Sequence, residues 1–376
     1  MPLYMDRHNI PGLTPVNVAT AHLKDLEIQE HYGCTCITYW VDEERGNVFC
    51  LIQSPNKQVV REMHNKAHGL IPHDIIEVDS NIVKAFLGRI NDPDMSGLNG
   101  SSDPQIINDP AFRYLLCVDL KDRILFDCLH GKSNAGQLIR NFNTLVHETG
   151  QHYSGHIVEN HEEYLATFVS ATNAIDCAIY LRNSILFQNT CLNLPKVEIK
   201  IGLSSGLPVS ESRTLFGDAI IKAKRYNFIS DGNKICLTPG IKEQYKGSAS
   251  RIFNGSRSIR IFHTEEDIFL CKLLDACQNA IFDPEISIDK LCGQLGISTS
   301  GLYRNCMNLT GLSPNDLLKE IKLVNALNLM QNQNKNISET AYELSFTNPS
   351  YFTKCFKKRF NVIPADFLKT MNSIAV

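Results

Sequence analysis

A helical pattern occurs twice in the last third of the chain, and it narrows the choice of fold more than any other feature of the sequence. In ISIDKLCGQLGISTSGLYRNCMNLTG, from Ile286, Ser287 is placed to cap a helix through Leu295, Gly296 supplies a tight turn, and Ser298 caps a second helix through about Leu309. Leu291, Leu295, Ile297 and Leu302 fall where they bury the angle between the two helices. Ser298, Thr299, Ser300, Gly301, Tyr303 and Arg304 are left near the exposed start of the second. About 50 residues later Ser338 is placed to cap a helix through Leu344, Ser345 and Phe346 make the turn, and NPSYFTKCFKKRF follows. In that last run Phe352, Phe356 and Phe360 repeat every four residues and face inward, leaving Asn348, Ser350, Tyr351, Lys354, Lys357 and Lys358 to face out.

Between the two units, SPNDLLKEIKLVNALNLMQ reads as one long helix, with Ser313 as its cap and Pro314 at its first position. Such a rod fixes the separation of the two outward faces. If that separation matches one turn of DNA, about 34 Å, both second helices enter successive major grooves, where short polar side chains and arginine suit base edges and phosphates. The series LGISTSGLYR, TGLSPNDLL, KLVNALNLM, ISETAYELSF, NPSYFTKCFKKRF and IPADFLK resembles the AraC/XylS family of transcription regulators. The chain departs from that family where Ser345 and Asn361 stand in place of its usual glycines and Lys322 in place of its usual arginine. Asparagine tolerates a left-handed backbone, so the geometry of the second turn is the point at issue.

Charge agrees with this division of labour. The chain of 376 residues has a net charge of −3, 43% hydrophobic and 20% charged residues, a composition of several ordinary globular domains. Residues 1–94 hold 8 Lys and Arg against 13 Asp and Glu, whereas residues 290–369 hold 10 against 5, so only the C-terminal part suits a polyanion. No run approaches the roughly 18 apolar residues of a membrane span, and the start lacks the apolar core of a secretion signal, so a cytoplasmic protein without a membrane partner is expected. Thirteen cysteines, scattered singly, read as reduced core thiols. Cys34 and Cys36 share a strand face and could chelate a metal, although burial as small hydrophobes fits them better.

Upstream, NDPDMSGLNGSSDPQIINDP reads as a linker, and KGSASRIFNGSRS marks a weaker break before SIRIFH, an expected edge strand. The expected domains are residues 1–94, a linker 95–110, 111–263 and 264–376. In the middle domain YLLCVDL, GQLIRNFNTLVHETG, YLATFV, ATNAIDCAIYLRNSI and VEIKIGLSSGLPV alternate strand and helix as in a ferredoxin-like sandwich. CVDL, YLATFVSATNAIDCAIYL, VEIKIGLSSGLPV and LFGDAIIKAKR resemble the class III adenylate and guanylate cyclase domain. That resemblance implies two-metal chemistry on a carboxylate pair with an Asn and an Arg. Asp119 matches the first carboxylate, Glu162 falls near the second and Arg225 matches the arginine, but Ile221 takes the place of the asparagine. The small residues after the first aspartate are replaced by Leu120, Lys121, Asp122 and Arg123, and the Gly-Asp-Gly turn reads His161, Glu162, Glu163. The expectation is a degenerate, inactive cyclase fold used for dimerisation or ligand sensing, with no catalytic residues and with its histidines, His130 to His161, solvated.

The first 94 residues predict the order β-α-β-β-α-β, with one helix capped by Thr14 before Pro15 and the other starting after Ser54 with Pro55, a second ferredoxin-like unit. LYMDRHNIPG, AHLKDLEIQEHYGC, ITYWVDEERGNVFCLIQSPNK and EMHNKAHGLIPHDIIEVD resemble a small family of nickel-binding ferredoxin-like proteins. His64 and His68, four apart on one helix, present both imidazoles on one face at a spacing that binds a metal, with His73 just beyond, His22 on the other helix and His8 ending the first strand. The candidate ligands are His22, His64, His68 and His73. Imidazoles suit Ni, Cu or Zn, and the family resemblance favours Ni²⁺ over another divalent metal. The fold expected is therefore multidomain α+β plus all-α, two ferredoxin-like α/β sandwiches followed by a double helix-turn-helix domain. The function expected is sequence-specific transcription regulation responsive to a metal or small molecule, with double-stranded DNA, a second copy of the chain and RNA polymerase as partners. The competing readings are a DNA-tethered nucleotide cyclase and a metal-storage protein with an accessory helical domain.

Overall fold

The computed structural model describes residues 1–92, 106–107, 109–160, 163–192, 194–247, 258–333 and 335–372. The first unit contains β1 (Leu3–Asn9), α1 (Pro15–Ile28), β2 (Thr35–Asp42), β3 (Asn47–Gln53), α2 (Lys57–Ala67) and β4 (Asp74–Glu77). Its sheet order is β2-β3-β1-β4, antiparallel throughout, which is the expected sandwich with both helices on one face. Thr14 caps α1 as its sequence predicts. The cap of α2 is Asn56, which accepts from Gln58 N and Val59 N, so the helix starts later than the Ser54-Pro55 signal suggested. A further helix absent from the expected order, α3 (Ser80–Leu87), capped by Asp79, follows β4.

The middle unit is a sheet in the order β10-β9-β8-β5-β7-β6. It comprises β5 (Arg113–Leu120), α4 (Phe126–His152), β6 (His156–Asn160), β7 (Glu163–Phe168), α5 (Ala171–Cys191), β8 (Ile199–Gly206), α6 (Gly217–Ile229), β9 (Ile235–Leu237) and β10 (Ile259–Ile261). The expected edge strand at SIRIFH is β10, paired parallel to β9. Alternation along β5 assigns its faces: Tyr114, Leu116 and Val118 point into the core beneath α4 and α5, while Leu115 and Cys117 point the other way. Gly202 lets α6 lie directly on β8, because a Cβ there would stand 2.2 Å from Ala223 O.

That second face of the middle sheet is covered by the first unit. Met5, Trp40, Phe49 and Leu51 from the helix-free face of the first sheet share one core with Leu115, Cys117 and Leu165, with α3 and α6 completing it. Phe86 stacks on Phe216 at 5.5 Å between ring centres. Much of the expected 95–110 linker falls outside the described residues, but the two units it joins are packed together rather than strung apart.

The C-terminal unit is all helical: α7 (Thr264–Ala280), α8 (Ile288–Leu295), α9 (Thr299–Thr310), α10 (Pro314–Asn332), α11 (Ile337–Glu343), α12 (Pro349–Phe360) and α13 (Pro364–Asn372). α7 docks it on the middle unit. Leu270, Leu273 and Leu274 share a core with Tyr226 and Ile229 of α6, and Asp267 accepts from Tyr226 Oη at 2.8 Å and from Lys222 Nζ at 2.9 Å. No helix among the described residues is long and apolar enough to cross a membrane.

Candidate metal centre and nucleic-acid interface

In the C-terminal unit the caps form as the sequence dictates. Ser287 accepts from Lys290 N, Gly296 turns at φ 65°, Ser298 accepts from Gly301 N at 3.2 Å, and Ser313 accepts from Asp316 N. Leu302, Cys306 and Leu309 of α9 are buried, while Ser298, Thr299, Ser300, Tyr303 and Arg304 are exposed. In the second unit the cap of α11 is Asn336, in a reciprocal pair with Glu339, and Ser338 lies inside the helix instead. Ser345 adopts the left-handed conformation at φ 54°, and Lys322 Nζ donates to its carbonyl at 3.2 Å. Two of the three departures from the resembled pattern thus meet at one turn. Asn361 closes α12 at φ 59°. Phe352, Phe356 and Phe360 are buried, and Asn348, Ser350, Tyr351, Lys354, Lys357 and Lys358 are exposed on the opposite side. Arg359 is different: its guanidinium bridges Glu320 of α10 and Asp122 of the middle unit at 2.6–3.2 Å.

The first unit gathers a polar cluster between its sheet and its helices. Asp6 and His8 alternate onto the inner face of β1, Cys50 lies across from Asp6 on β3, His22 and Asp25 are one turn apart on α1, and His64 and His68 come from the end of α2. His64 Nδ1 stands 3.1 Å from both Asp25 Oδ1 and His68 Nε2, and His68 Nε2 stands 3.2 Å from Asp25 Oδ1. His64 Nε2 donates to Asp6 Oδ2 at 2.9 Å. His8 Nε2 lies 3.4 Å from Asp6 Oδ1, and its Nδ1 is buried with no hydrogen-bond partner. His8, His22, Asp25, Cys50 and His68 border a cavity of about 20 Å³, room for one small sphere. His73 does not join them: it is exposed, and its Nδ1 accepts from Asn9 N at 3.2 Å. Asp6, Asp25 and Cys50 were missed as partners, and His8, noted at the end of the first strand, was left out of the candidate ligands, although the period-two pair in β1 and the one-turn pair on α1 carried the signal. Cys34 and Cys36 are buried, with Cys34 against Ser54 and Cys36 against Met63.

The electrostatics follow from two buried carboxylates facing imidazoles. Burial alone would raise Asp6, but the His8 and His64 rings hold it well below the usual carboxylate range. Burial alone would lower His64; the Asp6 charge and hydrogen bonds to Asp25 and Asp6 outweigh it and push the imidazole up to about 10. His22, buried without an equivalent partner, is pushed down. Donors at bond lengths of about 2.0–2.2 Å on neighbouring vertices of a metal's coordination sphere stand roughly 3.0–3.5 Å apart. The triangle of His64 Nδ1, His68 Nε2 and Asp25 Oδ1 has that edge, and the Asp6–His64 bond is the outer carboxylate that orients a metal-binding imidazole.

The cyclase-like positions disperse. Asp119 borders a large cavity between the middle and C-terminal units, Arg225 is paired with Asp275 of α7, Ile221 is 44% exposed, and Glu162 lies outside the described residues. Its neighbour Glu163 is held by Lys224.

Residues 4–78 match the family described as nickel responsive protein SCO4226-like, and residues 291–370 match the helix-turn-helix domain family. Histidine kinase P4 of Formosa agariphila is 36% identical over 74 residues, 20% of this chain and 5% of that protein. An uncharacterised HTH-type transcriptional regulator in the cgkA 5′ region of Pseudoalteromonas carrageenovora is 34% identical over 89 residues, 24% of this chain and 52% of that one. The crystal structure of SCO4226 from Streptomyces coelicolor A3(2) is 28% identical, covering 20% of this chain and 94% of that chain with a TM-score of 0.20. The chain spans about half or less of the length of these curated relatives. The helix-turn-helix match falls on the C-terminal helical unit and the SCO4226-like match on the N-terminal sandwich.

Burial pushes Asp119 up to about 8, against a nearby Arg123 that pulls the other way. An acid whose folded value is raised destabilises the fold progressively as pH climbs from its ordinary value near 4 toward 8. Asp119→Asn should therefore be more stable than wild type at pH 8, by about 1 kcal/mol or more, with the difference closing toward pH 4. Thermal unfolding of both proteins across that range checks it, and an equal pH dependence in the two would contradict the assignment.

Proposed function

We propose that the protein is a sequence-specific DNA-binding transcription regulator, acting in the cytoplasm, whose N-terminal unit takes up a divalent metal. The observation that carries the DNA half is the pair of capped helices, α9 and α12, each burying one face while exposing a polar and basic one, joined by the single helix α10. Their arrangement supports two contacts on one face of the duplex. Arg304 and Lys354 would reach bases or phosphates near the start and middle of the helices, and Lys357 and Lys358 the flanking backbone. A second copy of the chain and RNA polymerase belong to this reading as partners. The cyclase reading is disfavoured by the residues themselves: Ile221 has no donor for a developing charge, and Arg225 and Glu163 are committed to Asp275 and Lys224. Metal storage is disfavoured by the area of core that ties the sensing unit to the others.

In the metal half, His64, His68 and Asp25 would form the primary donors, with His8 and His22 close by at the cavity and Asp6 behind His64. Without a cation, the protonated His64 supplies the positive charge that Asp6 and Asp25 need. The Leu70 N–H donates to His68 Nδ1 at 3.1 Å, which places the neutral ring's proton on Nε2, so metal uptake has to displace protons. Ni²⁺ is the cation that the SCO4226-like match favours.

Selection of bound fragments from genomic DNA by the full chain defines the operator. On it, Arg304→Ala and Lys354→Ala should each weaken binding by about 1–3 kcal/mol, and Lys357→Ala should weaken all sequences alike while flattening the salt dependence. Unchanged affinity in both Arg304→Ala and Lys354→Ala would remove these helices as readers. Equilibrium dialysis should find one Ni²⁺ per chain, released with falling pH, and uptake lost in the His64→Ala, His68→Ala double variant while His73→Ala retains it. Undiminished uptake in the double variant excludes the centre. A typical coupling of about 1–3 kcal/mol would change operator affinity roughly 5- to 150-fold between loaded and chelated protein; no change keeps the centre but removes the switch.

A further inference from the structure

A cavity of about 620 Å³ lies where the end of the middle sheet faces the C-terminal helices. That volume is of the size that holds an organic ligand. Its floor is the α6-side end of β5 and β8, where Asp119 and Lys200 are register partners, and its roof is α10 with the end of α13. Cations and carboxylates both line the floor, and Lys200 and Arg123 are the lining cations that make no ion pair among the described residues. Lys200 is largely enclosed, and its Nζ donates to the Phe228 carbonyl at 3.0 Å. Arg123 lies over the face of Tyr164 rather than in an ion pair. Asp122 and Glu320, whose charges reach Lys200, are engaged by Arg359, and Glu163 is engaged by Lys224, while burial raises the Asp119 carboxyl. From the roof, Leu327 and Met330 present buried apolar surface, and Gln331 carries a buried Oε1 with no hydrogen-bond partner. A buried acceptor without a donor is costly in a folded protein and points to a missing partner.

We infer that this cavity is an effector site for an organic anion, one with an acidic head group for Lys200 and Arg123, an apolar body against Leu327 and Met330, and a hydroxyl or amine to donate to Gln331. It deepens the regulatory reading, on which it rests for its consequence, by naming the ligand class and the place where it acts. The occupant touches both sides of the seam. α10 is the rod between the two reading helices, and Arg359 of α12 lines the same cavity while holding Asp122 on its far wall. A ligand that distinguishes two arrangements of these walls changes DNA affinity, and DNA changes ligand affinity equally. The head group is either a carboxylate or a phosphate monoester, since both meet an ammonium and a guanidinium in the same way.

The test is direct binding in the absence of DNA, so that its failure is separate from any failure of DNA recognition. Full-length protein is titrated calorimetrically with 1-naphthoate and with 1-naphthyl phosphate. At least one should bind 1:1 with a Kd near or below about 1 mM, and the stronger of the two identifies the head group. Lys200→Met should weaken it about tenfold or more, and Val324→Trp, which fills the space beneath α10, should abolish it, whereas Lys242→Ala on the exposed surface of the middle unit should leave it unchanged. Absence of binding by both probes overturns the proposal, as does binding that persists unweakened in Lys200→Met. Should Lys200→Met fail to fold, unchanged binding in Val324→Trp overturns it equally.

Discussion

The architecture depends on two sheets that each have one face uncovered by their own helices. The first sheet carries α1 and α2 on one side only, and the middle sheet carries α4 and α5 on one side, with α6 covering part of the other. Left apart, each would expose a strip of Met5, Trp40, Phe49 and Leu51 or of Leu115, Cys117 and Leu165 to water. Packed together they bury it, at roughly 1.5–3 kcal/mol for each large apolar side chain removed from solvent. Polar groups also link the units at this seam. Arg113, 2% exposed, donates to the carbonyls of Pro110, Phe112 and Leu87, and Arg89 reaches Tyr39 O and Asp109. Both guanidiniums are depressed by burial, and separating the units would cost Arg113 its bond to the Leu87 carbonyl.

The same economy of surfaces places the DNA-reading unit. α6 belongs to two cores at once: Ala219 and Ala223 face the first sheet, and Tyr226 and Ile229 face α7. Asp267 is buried, yet it is satisfied by Tyr226 and Lys222, so the α6–α7 junction combines an apolar contact with a specific polar lock. The far side of the C-terminal unit meets the middle unit through Arg359 and Asp122. Between the two attachments the walls do not close, and the cavity is what remains.

What the sequence revealed followed the strength of its local physics. Helix caps are chemical and short range, so Thr14, Ser287, Ser298 and Ser313 could be named from their neighbours alone. Where two candidate caps stood close together the choice went wrong, at Ser54 against Asn56 and at Ser338 against Asn336, because either residue can accept from the first turn and only packing selects the register. β6 was missed because its pairing with β7 is nonlocal and its sequence, HIVEN, is short and polar at both ends. The site showed the same limit. His64 and His68 were legible as an i, i+4 pair, whereas Asp6 and Asp25 reach them from 58 and 39 residues away in sequence. His73 was drawn in by proximity in the chain, and the turn before β4 carries it outward instead. The cavity beneath α10 had no local signal at all, since its floor and roof come from units joined only by tertiary packing.

Contiguity between the metal cluster and the reading helices is therefore a property of shared cores rather than of any linker. The cluster lies on the helix side of the first sheet, and the other side of the same strands is the face packed on the middle unit, so Asp6 and Met5 are adjacent residues that look in opposite directions. On the proposed metal reading, a cation that drew Asp25 and the end of α2 toward β1 would strain a strand whose reverse face is anchored. Densely packed interfaces respond to such displacement by moving between discrete arrangements instead of deforming smoothly. Packing alone transmits nothing, however; a signal exists only to the extent that the cation binds more tightly to one arrangement than to the other. The protonated His64 sets the reference for that difference. Because its single positive charge already offsets part of the charge of the two buried carboxylates, a bound metal would replace a charge rather than add the first one, and the free energy left for moving α2 would be the excess of coordination over the ion pairs displaced.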